Sequence, residues 1–242
     1  MAAISIYNIV YNDAYLHSDS IANIRYVQAV WESKSLFPSY WTGSTGLMLP
    51  ILVTGIPIYA ITKSLLFTHA AVNIISQFLI TISFAYMLKA FDFKRTNIYQ
   101  ACIVLVVSLA CASLASLSII GYTVYSSFFV LAFINLGYIN KLRNESVRRF
   151  KKAKIALLFA AALFFGLSTP QYFLMVYAPL VASSIYFLIK RMKADPKARI
   201  ELRLTLLSAA LFAVSFVAYY ISYKVIMPRV GVSGIGSALM LA

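Results

Sequence analysis

The sequence has few charged residues. Only 12% of its 242 residues are charged, and 7 acidic residues stand against 21 lysines and arginines. Soluble domains carry about 25% charged residues, so a water-exposed surface over the whole chain is excluded. The hydrophobic share of 62% and the mean hydropathy of +0.83 are typical of an integral membrane protein.

Cysteine and histidine are almost absent as well, with two of each in the chain. Cys102 and Cys111 share one apolar segment, but their spacing, at about 100° per residue, puts them on opposite faces of a helix. The sequence contains no phosphate-binding glycine loop and no cluster of metal-ligand residues. We therefore identify no cofactor and no metal ligands, although the sequence leaves room for a divalent metal ion.

Long apolar runs dominate what is present, and a crossing helix needs about 20 such residues. The stretch 155–189 is too long for one crossing, and Ser168-Thr169-Pro170 in its middle predicts a turn between two helices. We predict an all-α fold, a polytopic transmembrane helical bundle of about six spanning helices. The other four predicted spans are residues 66–88, 97–120, 122–140 and 204–223.

Most of the basic residues fall in three short segments between these runs, at 89–95, 141–154 and 190–203. Lysine and arginine concentrated in short loops are typical of the cytoplasmic side of a multi-pass protein. We therefore expect a multi-pass protein of the cytoplasmic (inner) membrane. Its expected partner is the lipid bilayer, and no nucleic acid is expected to bind.

Residues 46–62 form a short apolar segment that contains Pro50, Gly55 and Pro57. Proline disrupts the interior of a helix, and the segment is shorter than a usual crossing. We favour an interfacial position for it, with the preceding polar residues 13–45 outside the membrane. In the alternative, 46–62 crosses and 13–45 is cytoplasmic, but the mixed charges of 13–45 are unlike those of the basic loops.

The domain organisation follows from this topology. We expect one transmembrane module over residues 1–242, with an outer loop and interfacial helices in 1–65, spanning helices in 66–223 and a second outer loop in 224–242. Residues 1–12 are apolar and aromatic but too short to span, and they look like the last turns of a preceding helix. We therefore expect the chain to be a fragment of a longer protein.

The strongest candidates for chemistry lie close together in the polar amino-terminal region: Asp13, His17 and Asp19. A carboxylate just outside the membrane can take a proton from an acceptor hydroxyl, as glycosyl transfer requires. The alternative is structural, because Asp19 or Ser20 could cap a helix through residues 21–30.

These residues belong to a longer pattern that resembles a known family. The motif DAYLHSDS at residues 13–20 is followed by LFPSYW at residues 36–41, a short apolar segment, and helices with basic loops. The pattern looks like the amino-terminal half of the GT-C fold of membrane glycosyltransferases, over residues 7–223. The resemblance implies a sugar donor linked to polyprenyl phosphate and a reaction at the outer face of the membrane.

The resemblance also implies roles for individual residues. Asp13 or Asp19 would be the acidic catalytic residue, and His17 a polar helper. We include Tyr15, from the same motif, as a substrate-binding candidate. Trp41 is a second one, since its aromatic patch either shapes the mouth of a substrate site or anchors the chain at the headgroup level, where aromatic rings concentrate.

A second set of polar residues recurs every four positions in the predicted 66–88 helix: His69, Asn73, Gln77 and Thr81. Residues at this spacing share one face of a helix, and polar side chains at membrane depth usually face the bundle interior. They either line a substrate cavity, with the first three binding substrate, or form interhelical hydrogen bonds of about 0.6 kcal/mol each.

Three classes of function remain after the sequence alone. The first is a GT-C-like glycosyltransferase, as the resemblance implies. The second is a transporter or flippase-type component without catalytic activity, which rests on the polar face and on the lack of a complete catalytic signature. The third is a structural membrane subunit.

Overall fold

The structure is a computed structural model that describes residues 18–36, 38, 49–111, 123–144, 152–191 and 198–226. Within these ranges the chain is helical and contains no strand, which confirms the all-α prediction. A π-helical segment, Phe173–Tyr177, leads into the helix Ala178–Arg191, and another, Ser222–Ile226, continues the helix Ala198–Ile221. The helices are α1 Ser18–Ser33, α2 Leu49–Thr62, α3 Leu65–Ala90, α4 Arg95–Cys111, α5 Thr123–Asn144, α6 Lys152–Gly166, α7 Ala178–Arg191 and α8 Ala198–Ile221.

Three helices in the described part of the chain are long and apolar enough to cross a membrane. They are α3, the continuous helix Phe173–Arg191 and the continuous helix Ala198–Ile226. The last of these helices begins at Ala198, whereas the span predicted from the sequence begins at residue 204. α4 and α5 cover parts of the predicted spans 97–120 and 122–140 but are not among the three, so the count of six stays a prediction.

The predicted turn inside residues 155–189 is present. α6 ends at Gly166, and the Ser168 amide donates to the carbonyl oxygen of Phe165 at 3.0 Å. Pro170 lies at the start of the next helix, where the Leu174 amide donates to its carbonyl oxygen at 3.3 Å. Proline suits this position because its fixed φ is helical and the first amides of a helix need no intrahelical partner.

The ends of four helices meet at one end of the bundle, which we call the basic end. The Asn140 side-chain amide donates to the carbonyl oxygen of Ala90 at 2.8 Å, which joins α5 to α3. Arg143 and Arg191 both contact the Glu201 carboxylate, at 2.8 and 2.9 Å, which joins α5 and α7 to α8. The three basic segments of the sequence therefore reach the same end of the molecule.

α1 and α2 lie side by side and run parallel. Gly55 packs so closely on Val27 that an added Cβ would lie 2.8 Å from Val27 Cγ2. Further along both helices, the Tyr59 hydroxyl donates to Glu32 Oε1 at 3.4 Å. Both helices therefore finish near Lys63, at the start of α3. Since the 26 residues of α3 extend about 39 Å, this opposite end lies a full helix length from the basic end.

The length of α2 bears on whether residues 46–62 cross the membrane. Its 14 residues extend about 21 Å, whereas the hydrocarbon core is about 30 Å thick. Pro57 lies inside the helix and is exposed. The length favours the interfacial interpretation, which stays a prediction.

The buried face of the last helix has a regular spacing. Its buried positions recur at alternating intervals of three and four, as in helices that pack along a common seam. Contacts with α6 and α7 cover this face. The buried residues of the helix are Glu201, Leu204, Ser208, Leu211, Ser215, Ala218 and Ser222.

Candidate functional site

Three of the four residues of the predicted polar face of α3 are buried inside the bundle, and the fourth, Thr81, is half-buried. His69, Asn73 and Gln77 are only 3%, 6% and 5% exposed. The Asn73 amide nitrogen lies 3.4 Å from His69 Nδ1, one helical turn away. All three belong to the half of α3 that is farther from the basic end. We call them the polar stripe, and their role as substrate ligands stays a prediction.

The neighbours of α3 explain why the polar stripe is buried. α5 packs along α3, and Gly137 allows this approach, since an added Cβ would lie 3.1 Å from the Met87 backbone. α1 and α2 also pack against α3. The apolar residues of α3 are left to the outside, where Phe78 and Ile82 are each 52% exposed. The helix thus presents apolar side chains outward and polar ones inward, as expected of a helix in lipid.

Two buried asparagines outside α3 were missed from the sequence. Asn23 on α1 and Asn135 on α5 are 3% and 0% exposed. Asn135 donates to the carbonyl oxygen of Leu131 in its own helix at 2.8 Å. Asn135 could have been found from the sequence, because it is a polar residue inside the apolar run 128–136, and a polar residue at membrane depth usually faces the bundle interior. Asn23 gave no such signal, since its surroundings in the sequence are polar.

Several of these buried polar groups lack a hydrogen-bond partner among the described residues. They are Asn23 Nδ2, Asn73 Oδ1 and Asn135 Oδ1. A buried polar atom left without a partner costs about 1–3 kcal/mol, so such atoms usually meet water or a ligand. Each of these atoms is therefore a separate candidate for a bond to water or to a polar ligand.

The acidic motif lies mostly outside the described residues. Asp13, Tyr15, His17 and Trp41 all fall there, so their predicted roles stay predictions. The backbone of Asp19 is described and lies in the first turn of α1. The helix through residues 21–30 is present but begins at Ser18, so Asp19 and Ser20 lie inside its first turn and not at the cap position before it. A carboxylate in a first helical turn is favourable for the helix dipole.

Metal-ligating side chains are dispersed in the described part of the chain. No three of its histidine, cysteine, aspartate and glutamate side chains come close enough together to hold a metal ion. His69 lies beside Asn73 rather than beside another ligand residue. The described residues therefore offer no metal site.

The basic end contains a buried ion cluster that the sequence did not reveal. Glu201 is fully buried, and its Oε1 contacts both Arg143 Nε and Arg191 Nη1. The Arg143 guanidinium also lies over the Phe187 ring, 4.1 Å from the centroid. The partners come from three different helices, and Arg143 and Glu201 are 58 residues apart in the sequence, so only the fold brings them together. This cluster joins helices and lies far from the polar stripe.

Comparison with known proteins adds no family. No protein-family model, no curated protein and no solved structure matches this chain. The resemblance to membrane glycosyltransferases therefore rests on the sequence motifs alone.

Proposed function

We propose that this protein binds a polyprenyl-phosphate-linked sugar at the outer face of the cytoplasmic membrane and transfers the sugar as a GT-C-like glycosyltransferase. The observation that carries the proposal is the buried polar stripe of α3, a helix against which α1 packs. The acidic motif immediately precedes α1 in the chain. The candidate general base is thus linked through α1 to the helix that carries the polar stripe.

The reaction assigns separate tasks to these two parts. Asp13 or Asp19 would take the proton of the acceptor hydroxyl. The acceptor oxygen then forms a bond to the sugar's anomeric carbon, the bond from that carbon to the phosphate oxygen breaks, and the phosphate leaves with the electron pair. His69, Asn73 and Gln77 would hold polar groups of the sugar by hydrogen bonds, out of contact with bulk water.

The test uses the full chain reconstituted in membranes with a radiolabelled polyprenyl-linked sugar. Asp13→Asn and Asp19→Asn each keep the size of the side chain and remove its basicity. Loss of a general base typically lowers the rate about 10²–10⁴-fold, so at least one variant should fall by that factor. Asp92→Asn is the matched control, since Asp92 is exposed at the basic end and its φ of 58° also suits asparagine. Full transfer in both test variants would refute the catalytic role.

A transporter or flippase-type component is the second candidate, and the buried atoms without partners favour it. Asn73 Oδ1 and Asn135 Oδ1 lie inside the bundle, where they could hydrogen-bond a lipid headgroup in transit. A fluorescent polyprenyl phosphate in proteoliposomes distinguishes the two functions. If the protein moves lipid headgroups, Asn73→Leu and Asn135→Leu slow translocation and Asp13→Asn does not.

A further inference from the structure

Two lysines meet on one tryptophan ring at the end of the bundle opposite the basic end. Lys34 Nζ lies 3.4 Å and Lys63 Nζ lies 4.4 Å from the centroid of Trp31. Lys63 Nζ also lies 5.8 Å from the centroid of Tyr59. Lys34 follows α1 and Lys63 follows α2, so the parallel packing of these helices brings both ammonium groups to the same ring.

No carboxylate among the described residues forms an ion pair with either ammonium group. The nearest in sequence is Glu32, whose Oε1 accepts hydrogen bonds from Gln28 Nε2 at 2.7 Å and from the Tyr59 hydroxyl at 3.4 Å. The ion pairs of the described residues are those of Glu201, at the other end of the bundle. Two like charges that contact one ring repel each other, and a bound anion at the ring would lower this repulsion.

The backbone at both lysines is unusual and similar. Their φ angles are 55° for Lys34 and 52° for Lys63, in the left-handed region. Glycine or asparagine is usual immediately after a helix, because a longer side chain raises the energy of this conformation. A cation does gain from the dipole at an exposed helix end, but this gain is generally smaller than the steric cost. Capping alone therefore does not explain lysine at both positions, whereas a shared function does.

We propose that Trp31, Lys34 and Lys63 bind the phosphate group of a membrane lipid. Lys34 and Lys63 are exposed and Trp31 is half-buried, so a headgroup can reach both ammonium groups. Tryptophan at this level of a membrane protein is typical of the headgroup region. This proposal rests on the proposed function for one point only, that the natural lipid is the polyprenyl phosphate carrier. The three residues would then hold the carrier's phosphate.

The surroundings of the site favour a lipid over free phosphate. Ile61, two residues before Lys63, is 85% exposed, and Leu36, two residues after Lys34, is 49% exposed. Leu66 and Phe67, at the start of α3, are 46% and 50% exposed. These apolar side chains flank the lysines and suit contact with a hydrocarbon chain, which a free phosphate ion lacks.

The test measures binding of a fluorescent polyprenyl monophosphate to the full chain in phosphatidylcholine nanodiscs. Lys34→Gly and Lys63→Gly remove the charge and also relieve the backbone strain. Each lysine near a membrane surface contributes about fivefold to the binding of an anionic lipid, so the double variant should bind about 30-fold more weakly. It should unfold at the same temperature as the wild type or higher, which excludes misfolding as the cause.

Two controls make the result specific. Arg25→Gly removes one positive charge from the exposed face of α1, away from the Trp31 ring, and should leave lipid binding within about twofold of the unchanged protein. Lys34→Arg with Lys63→Arg keeps both charges and should retain binding. Unchanged binding in the double glycine variant would overturn the proposal, and so would an equal loss in Arg25→Gly.

Competition with inorganic phosphate separates the two sources of the anion. If inorganic phosphate, added at the same concentration as the lipid, displaces the bound lipid, the site binds a soluble anion and the lipid assignment is wrong. The binding measurement involves no sugar transfer, so it is independent of catalysis. If the protein binds the lipid but transfers no sugar, only the glycosyltransferase proposal is contradicted. If the double glycine variant still transfers sugar but no longer binds the lipid, only the lipid site is contradicted.

Discussion

Among single residues, Glu201 has the most demanding environment in the described part of the chain. Its carboxylate is fully buried at the start of α8, and both of its arginine partners bind the same oxygen. Burial of a charge costs several kcal/mol unless partners compensate it. The side chains of Arg143 and Arg191 are 11% and 28% exposed, so water stabilises the arginines but not Glu201. The cluster thus depends on all three charges being present together.

Replacement of Glu201 should destabilise the protein more than replacement of another carboxylate. Glu201→Gln leaves Arg143 and Arg191 together without the negative charge that balances them. We expect a loss of about 2–3 kcal/mol, below the 3–5 kcal/mol of a fully buried pair because the arginines are partly hydrated. Thermal unfolding in detergent measures this loss, with Glu32→Gln as the control at an exposed site. Equal unfolding temperatures for the two variants would show that the cluster contributes little.

At the scale of helices, close backbone approaches determine which pairs pack tightly. A Cβ added to Gly166 at the end of α6 would lie 2.5 Å from the carbonyl oxygen of Ser215 and 2.8 Å from its Cα. These are backbone atoms of α8 and cannot rotate away. A Cβ added to Gly55 would instead meet a methyl group of Val27, at 2.8 Å. The two glycines therefore differ in what a methyl group would displace.

We expect Gly166→Ala to separate α6 from α8 and to cost at least 1–3 kcal/mol, the usual range for overpacking. Gly55→Ala should cost less, because Val27 can change its side-chain rotamer. Denaturant or thermal unfolding of both variants in the same detergent gives the comparison. A larger loss for Gly55→Ala than for Gly166→Ala would contradict this difference between backbone and side-chain contact.

Two asparagines of α5 allow interhelical bonding and ligand binding to be separated. Asn140 joins α5 to α3 through its bond to the Ala90 carbonyl, whereas Asn135 donates within its own helix. Asn140→Leu should therefore lower stability by about 1 kcal/mol, the scale of an interhelical bond in a membrane. Asn135→Leu should leave stability unchanged or raise it, since it removes a buried oxygen without a partner. Unfolding temperatures measure both effects, and a greater loss for Asn135→Leu would show that its oxygen is already satisfied.

The helices were more predictable from sequence than their contacts. The 66–88 run and the turn at Ser168-Thr169-Pro170 depend on local length, hydropathy and proline, and the structure contains both. The Glu201 cluster and the meeting of Lys34 with Lys63 depend on which helices become neighbours. Sequence periodicity identifies the inward face of a helix but not its partner, so these sites became visible only in the fold.

For the whole molecule, charge is divided between the two ends of the bundle. The basic end holds the described parts of the three basic segments, including Lys89 and Lys190. The opposite end holds Lys34 and Lys63 beside Trp31. Loops with many positive charges stay on the cytoplasmic side during insertion. From this asymmetry we expect the proposed lipid site and the polar stripe to lie toward the outer side of the membrane.

Labelling of single cysteines in intact cells tests this orientation. Cys102 and Cys111 are first replaced by alanine, and one cysteine is then introduced as Ser33→Cys at the opposite end or as Asn144→Cys at the basic end. Ser33 and Asn144 are both exposed, so a difference in labelling reports the side of the membrane rather than burial. A membrane-impermeant maleimide should react with the cysteine at position 33 in intact cells, and with that at position 144 only after permeabilisation. The reverse pattern would invert the topology and place the proposed lipid site on the cytoplasmic side, which would contradict the binding of a lipid carrier at the outer face.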